Sequence, residues 1–86
     1  MYDIIISKEA QKKLKNLAKN ERFRVAEKIA WLGRDPDDVK LDIKPLEGEK
    51  GYFRLRVGDW RIIFLRDDVI ELISIEKIKA RGDAYK

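Results

Sequence analysis

Three arginines near the middle of the chain have the type and spacing needed to bind an anion. They lie in the stretch 52–66, YFRLRVGDWRIIFLR, in which apolar residues alternate with other residues on both sides of Gly58-Asp59. Two alternating runs around a two-residue turn that contains glycine predict a β-hairpin. Because side chains alternate across a strand, Arg54, Arg56 and Arg61 share one face of this hairpin.

The hairpin's second face is apolar and must be buried. A two-residue turn fixes the register, so Arg56 lies opposite Arg61. The same register predicts the pairs Val57–Trp60, Leu55–Ile62 and Phe53–Phe64, which form the buried face.

Like charges placed opposite each other destabilise a sheet, so folding gains nothing from this arginine cluster. Guanidinium groups match phosphate oxygens in charge and geometry. Within the hairpin, only Asp59 at the turn offsets the three positive charges. The cluster therefore predicts an anion-binding site, and a solvated outer face that keeps the protein soluble is the alternative.

Composition restricts the chemistry further. The chain has 86 residues, a net charge of +4, 42% charged residues, no cysteine and no histidine. The absence of these two residue types removes thiolate metal ligands and the commonest general base. We expect neither a metal nor another cofactor, and a positive charge fits an acidic partner such as nucleic acid. No apolar run approaches the ~20 residues that span a membrane, so a cytoplasmic protein is expected.

Two helices are predicted before the hairpin. A strand over residues 2–6 precedes Ser7, which caps a first helix over residues 8–18. Asn20 is predicted to cap a second helix that ends near Gly33. The predicted core-facing stripes are Ala10, Leu14, Leu17 and Ala18 in the first helix, and Val25, Ile29 and Leu32, widened by Ala26 and Ala30, in the second.

Residues 34–51 are predicted to be one long loop, held to the core by Val39, Leu41 and Leu46. A further strand is predicted over residues 69–75. A two-residue turn before it would place Glu71 opposite Phe64 on the buried face, so a longer turn or a bulge remains open.

The last stretch, from residue 76, is basic and ends on Tyr85-Lys86. Gly82 permits a bend that would bring Tyr85 over the sheet, and a frayed terminus is the alternative. The complete pattern predicts one α+β domain over residues 1–86. Its order is β-α-α-β-β-β, with a helical hairpin packed on one face of an antiparallel twisted sheet.

This order of elements, together with LEG at 46–48, YFRLRVGDWRIIF at 52–64 and the terminal RGDAYK, resembles the RelE/ParE superfamily of toxin–antitoxin toxins. The motifs look closer to the RelE branch. The resemblance implies a ribosome-dependent endoribonuclease that cuts messenger RNA in the ribosomal A site. It also implies a RelB-like antitoxin as partner, besides the ribosome and the message.

The resemblance also implies roles for particular residues. Arg54 and Arg56 match the basic pair before the turn, and Arg61 matches the arginine after it. Tyr85 matches the terminal tyrosine, and the C-terminal cation falls on Lys79 or Arg81. The predicted catalytic residues are Arg54, Arg61, Arg81 and Tyr85, and the predicted RNA- or phosphate-binding residues are Arg56, Lys77 and Lys79.

This chain has arginines where the best-studied branch has lysines, and arginine rarely gives up its proton, so it is a poor general base. Two other functions remain open at this point. One is a ParE-like protein that inhibits DNA gyrase by contact, and the other is a non-catalytic RNA-binding protein. Convergence of Arg54, Arg61 and Tyr85 on one face would favour the enzyme.

Overall fold

A five-stranded sheet with two helices on one face forms the part of the chain that the computed structural model describes, residues 1–80. Its spatial strand order is β1-β5-β4-β3-β2, with β1 parallel to β5 and the other neighbours antiparallel. The elements are β1 (Asp3–Ile6), α1 (Lys8–Lys15), α2 (Lys19–Arg34), β2 (Asp42–Pro45), β3 (Tyr52–Val57), β4 (Trp60–Asp67) and β5 (Leu72–Ala80).

The α+β class and the helical hairpin on one sheet face are confirmed, and two details differ. The sheet is mixed, because β1 pairs with β5, a strand almost 70 residues away in the sequence. Apolar alternation in β1 does not reveal the direction of so distant a neighbour. The sheet also has one strand more than predicted, namely β2.

The hairpin of β3 and β4 has the predicted register at every pair. Arg56 lies opposite Arg61, and Val57 lies opposite Trp60. Gly58, at the turn, has a φ of 58°, a left-handed conformation that glycine adopts without strain. The predicted buried face packs against the helices in the core, where Leu55, Ile62 and Phe64 are almost fully buried.

The helix starts differ in how well they were predicted. The Ser7 hydroxyl accepts a hydrogen bond from the Ala10 N–H at 3.0 Å, as the N-cap prediction requires. α1 ends at Lys15 rather than at residue 18. The prediction that Asn20 caps α2 is wrong, because α2 begins at Lys19 after Ala18 and has no side-chain cap.

The core stripe of α2 consists of Val25, Ile29 and Leu32, which are buried as predicted. Ala26 and Ala30 are exposed, so the stripe is narrower than expected. Gly33 lies inside α2 rather than after it. A Cβ there would lie 3.0 Å from Ile4 Cγ1, which shows that glycine allows β1 to approach the helix closely.

The predicted long loop contains β2, which pairs antiparallel with β3. Leu41 is buried and Leu46 is half-buried, as expected for residues that hold this segment to the core. Val39 is 96% exposed, so its predicted role in the core is wrong.

β5 begins three residues later than predicted and extends to Ala80. A longer turn precedes it, in which Val69 and Ile70 are exposed and Glu71 has a φ of 52°. A bulge also follows, so Ile75 rather than Glu71 lies opposite Phe64. The structure therefore has both features that the sequence left open. No helix among the described residues is long and apolar enough to cross a membrane.

Candidate functional site

The sheet face that the helices leave uncovered carries two cross-strand rows of mostly basic residues. Residues directly opposite each other on neighbouring strands share a face, so the strand pairing defines these rows. The first row is Lys79, Arg61, Arg56 and Asp42, and the second is Lys77, Ile63, Arg54 and Lys44. We call these eight residues the basic face.

Arg61 occupies the centre of this face and is only 3% exposed. Its Nη1 donates two long hydrogen bonds, to the carbonyl oxygens of Gly58 at 3.4 Å and Trp60 at 3.3 Å. Its Nε is buried without a hydrogen-bond partner, and no carboxylate within residues 1–80 forms an ion pair with it. Burying a charge in this way is costly, and an external anion would relieve that cost.

Arg54 and Arg56 extend the positive charge towards β2. Arg54 Nη2 lies 3.7 Å from Asp42 Oδ1, which is too long for a hydrogen bond and makes a weak ion pair. Arg56 is exposed and forms no ion pair with any described residue. Asp59 was the one counter-charge that the hairpin sequence offered, and Asp42 is a second one, in the unpredicted strand β2.

Lys77 and Lys79 extend the basic face onto β5, where Lys77 is exposed and Lys79 half-buried. Both line a depression of about 410 Å³ between β5 and the segment that precedes β3. Its other lining residues are Leu46, Glu49, Tyr52, Ile63 and Glu76. Sequence reasoning missed Tyr52, although alternation from Arg54 places it on this face. It also missed Glu76, which lies beside Lys77 because of the bulge in β5.

The segment between β2 and β3 is fixed by backbone hydrogen bonds. The Leu46 N–H donates to the Tyr52 carbonyl at 2.9 Å, and the Tyr52 N–H donates to the Glu49 carbonyl at 3.2 Å. Gly48 and Gly51 have φ values of 75° and 86°, which favour glycine. The LEGEKGY sequence therefore builds one wall of the depression.

Arg81 and Tyr85 lie outside the described residues. Their predicted roles, and the predicted convergence of Tyr85 with Arg54 and Arg61, stay predictions. Arg54, Arg56 and Arg61 belong to one sheet face, as the hairpin pattern predicted, and the pairing of β4 with β5 places Lys77 and Lys79 on the same face. Within residues 1–80, no group of three or more acidic side chains could hold a metal ion.

A second arginine cluster, at the other end of β4, shows the opposite electrostatic pattern. The Arg66 guanidinium donates to both carboxylate oxygens of Asp37, at 2.9 and 3.1 Å, and to Asp68 Oδ1 at 2.6 Å. These bonds lower the pKa of the Asp37 and Asp68 carboxyls and raise the pKa of Arg66. The hydrogen bond to Asp68 raises the pKa of Tyr2. Arg66 is satisfied by its own chain, so this cluster is structural, whereas Arg61 is not satisfied.

Comparisons with known proteins agree with this architecture. The family described as the ParE toxin of type II toxin–antitoxin system parDE matches residues 4–85. A Methanocaldococcus jannaschii protein named RelE1 is 35% identical over 99% of this chain and 96% of its own length.

Solved structures give the same result. A chain of the RelE–RelB complex of Pyrococcus horikoshii has a TM-score of 0.82 and 33% identity, over 94% of this chain and 96% of that one. A chain of the RelBE2 toxin–antitoxin complex of Mycobacterium tuberculosis has a TM-score of 0.79 and 28% identity, over 93% of this chain and 98% of that chain.

The fold and these matches define a toxin of a type II toxin–antitoxin system. The chain belongs to the ParE toxin family, as the superfamily resemblance of its motifs predicted. Its similarity to RelE proteins agrees with the RelE branch that the hairpin and terminal motifs indicated.

Proposed function

We propose that this toxin is a ribosome-dependent endoribonuclease that cleaves messenger RNA in the ribosomal A site. The observation that carries the proposal is the position of Arg61. It is buried, lacks a carboxylate partner among the described residues, and lies between Arg56 and Lys79 in one cross-strand row. A guanidinium in this position suits the stabilisation of a phosphate whose negative charge increases during a reaction.

Cleavage of RNA by its own 2′-OH requires in-line geometry and stabilisation of a doubly charged phosphorane. Arg54 and Arg56 hold the scissile phosphate, and Arg61 stabilises the charge that develops on it. Lys77 and Lys79 bind the neighbouring backbone. From the family resemblance we add Arg81 as a further cation and Tyr85 as a group that stacks on a base or orients the 2′-OH.

Dependence on the ribosome follows from the acid–base groups. The chain contains no histidine, and guanidinium groups are poor proton acceptors. An enzyme with this set depends on a substrate that is already held in a reactive geometry. A codon fixed in the A site supplies that geometry, whereas free RNA does not, and this role places the protein in the cytoplasm.

The proposed protein partner is a RelB-like antitoxin, because the Pyrococcus and Mycobacterium relatives were solved as toxin–antitoxin complexes. One of its acidic or apolar helical segments would occupy the helix surface around Phe23, which is 68% exposed. This surface is flanked by Lys19, Arg22 and Arg24. Another segment would cover the basic face and silence the toxin.

Inhibition of DNA gyrase by protein contact is the second candidate function, and the ParE name of the matching family favours it. Such an inhibitor would perform no chemistry, and the arginines of the basic face would not be needed. The two functions therefore differ in whether Arg61 is essential.

The test is a cell-free translation reaction in which the ends of the message are mapped. Wild-type protein should produce cuts within A-site codons, and Arg61→Met should reduce their rate by about 100-fold or more. Arg34→Met, which removes an exposed arginine at the end of α2, is the matched control and should cleave normally. Intact message together with blocked supercoiling by gyrase would contradict the proposal and favour the second candidate.

A further inference from the structure

A β-bulge brings Glu76 and Lys77 to the same open side of the sheet. The pairing of β4 with β5 changes from Ile63–Lys77 to Phe64–Ile75, so Glu76 is the extra residue in β5. Bulges redirect side chains and are common next to active sites. Glu76 lines the depression that Lys77 and Lys79 also line. A regular strand would alternate and would place residues 76 and 77 on opposite faces.

The Glu76 side chain is held in place rather than neutralised. Its Oε2 accepts a hydrogen bond from the Ser74 hydroxyl, two residues earlier in β5. It forms no ion pair with any lysine or arginine in the described part of the chain. Glu76 therefore places an oriented carboxylate, which has acceptor lone pairs, in a depression that Lys77 and Lys79 also line.

The proposed cleavage reaction lacks a proton acceptor among the cations of this face. Arginine rarely loses its proton, and a lysine ammonium has no acceptor lone pair. Two other carboxylates are near. Asp42 lies on the edge strand β2 beside Arg54, and Glu49 is exposed in the segment before β3. Of these three carboxylates, only Glu76 projects from a strand that has a neighbour on each side.

We propose that Glu76 is the general base of the cleavage reaction, an inference that rests on the proposed function. Its carboxylate takes the proton of the 2′-OH, and the 2′ oxygen then forms a bond to phosphorus. The bond from phosphorus to the 5′ oxygen breaks, and that oxygen takes a proton from the Lys79 ammonium. The products are a 2′,3′-cyclic phosphate and a 5′-OH end, and solvent restores both side chains.

The test is single-turnover cleavage on ribosomes programmed with a synthetic message. Glu76→Gln, which keeps the shape and an acceptor for the Ser74 hydroxyl, should slow cleavage by about 100- to 10,000-fold. Binding to the programmed ribosome should stay equal or become tighter, because one negative charge leaves a phosphate-binding face. Glu27→Gln, the same change at an exposed carboxylate of α2 on the opposite side of the sheet, should cleave at the wild-type rate.

A second substrate separates a general base from a general acid. A message with sulfur in place of the scissile 5′ oxygen has a leaving group that needs no proton. The Glu76→Gln defect should persist on this substrate, whereas a Lys79→Met defect should shrink. Disappearance of the Glu76→Gln defect on the sulfur substrate would overturn the assignment.

The failure of this inference can be distinguished from failure of the proposed function. If wild-type protein cuts and Glu76→Gln cuts equally fast, only the role of Glu76 is wrong. The same holds if Glu27→Gln loses as much activity as Glu76→Gln. It also holds if Glu76→Gln weakens ribosome binding and lowers Tm in step with its loss of activity. If wild-type protein leaves the message intact, the proposed function is wrong and the role of Glu76 is wrong with it.

Discussion

Arg61→Met should make the free toxin more stable while it removes activity. Methionine keeps an unbranched apolar stem in the buried position and deletes the charge. The side chain faces Arg56 on one neighbouring strand and Lys79 on the other, so the substitution removes two repulsive cross-strand pairs. It also removes the buried Nε, which has no hydrogen-bond partner.

The expected size of the effect follows from these contacts. Opposed like charges cost roughly 0.2–1 kcal/mol per pair. A buried donor without a partner costs about 1–3 kcal/mol. The two bonds from Nη1, at 3.3 and 3.4 Å, are near the limit of hydrogen-bond length, so each contributes at the low end of about 0.5–1.5 kcal/mol. We expect a net gain of about 1–2 kcal/mol in the free energy of unfolding.

Thermal unfolding followed by circular dichroism measures this gain. In a domain of this size, about 1 kcal/mol shifts Tm by roughly 4–8 °C, so Arg61→Met should melt well above the wild type. Arg66→Met is the matched control, because it deletes an arginine from the same strand. Arg66 is fully paired with Asp37 and Asp68, so its loss should lower Tm.

Two results would refute this reasoning. One is a fall in Tm for Arg61→Met, which would mean that Arg61 is stabilised within its own fold. The other is an equal change in Tm for both variants, which would mean that pairing with carboxylates does not distinguish the two arginines. If Arg61→Met raises stability but still cleaves the message, the charge of Arg61 does destabilise the free protein, but Arg61 has no part in the proposed reaction.

Three further predictions concern stability. The lowered pKa of Asp37 and Asp68 means that the unfolded chain binds more protons, so this stability is present at neutral pH and lost as pH falls below about 4. Urea titrations of wild type and Arg66→Met at pH 6 and pH 3 should therefore show a smaller pH effect in the variant. Gly33→Ala should reduce the free energy of unfolding by about 1–2 kcal/mol in urea titrations, because the new methyl group would lie 3.0 Å from Ile4 Cγ1. Glu71→Gly should increase it by roughly 0.5–1 kcal/mol by the same measurement, because glycine adopts the φ of 52° at lower cost.

The hairpin could be predicted in full because its information is local. A two-residue turn sets the register, and alternation then assigns every side chain to a face. The arginine cluster followed directly from that register. Ser7 was equally clear, because an N-cap depends only on the residues next to it.

The features that could not be predicted from the sequence depend on residues that are distant along the chain. The four residues of β2 include a proline and do not alternate clearly, so the strand is defined only by its pairing with β3. Its absence from the prediction also concealed Asp42, the partner of Arg54. The bulge in β5 arises where the strand meets β4, so the shared face of Glu76 and Lys77 could not be read from their own segment.

The charges that would hold RNA also act against the fold in the free protein. Arg61 is buried between two cations, and its own chain offers no carboxylate among the described residues. An anion that binds this face relieves repulsion that the folded state already contains. A message phosphate or an acidic antitoxin segment that binds this face should therefore gain affinity from the relief of this repulsion. Because it binds only the native state, it should also raise the free energy of unfolding of the toxin. The same arrangement explains why a satisfied arginine such as Arg66, at the other end of β4, is not a candidate for this function.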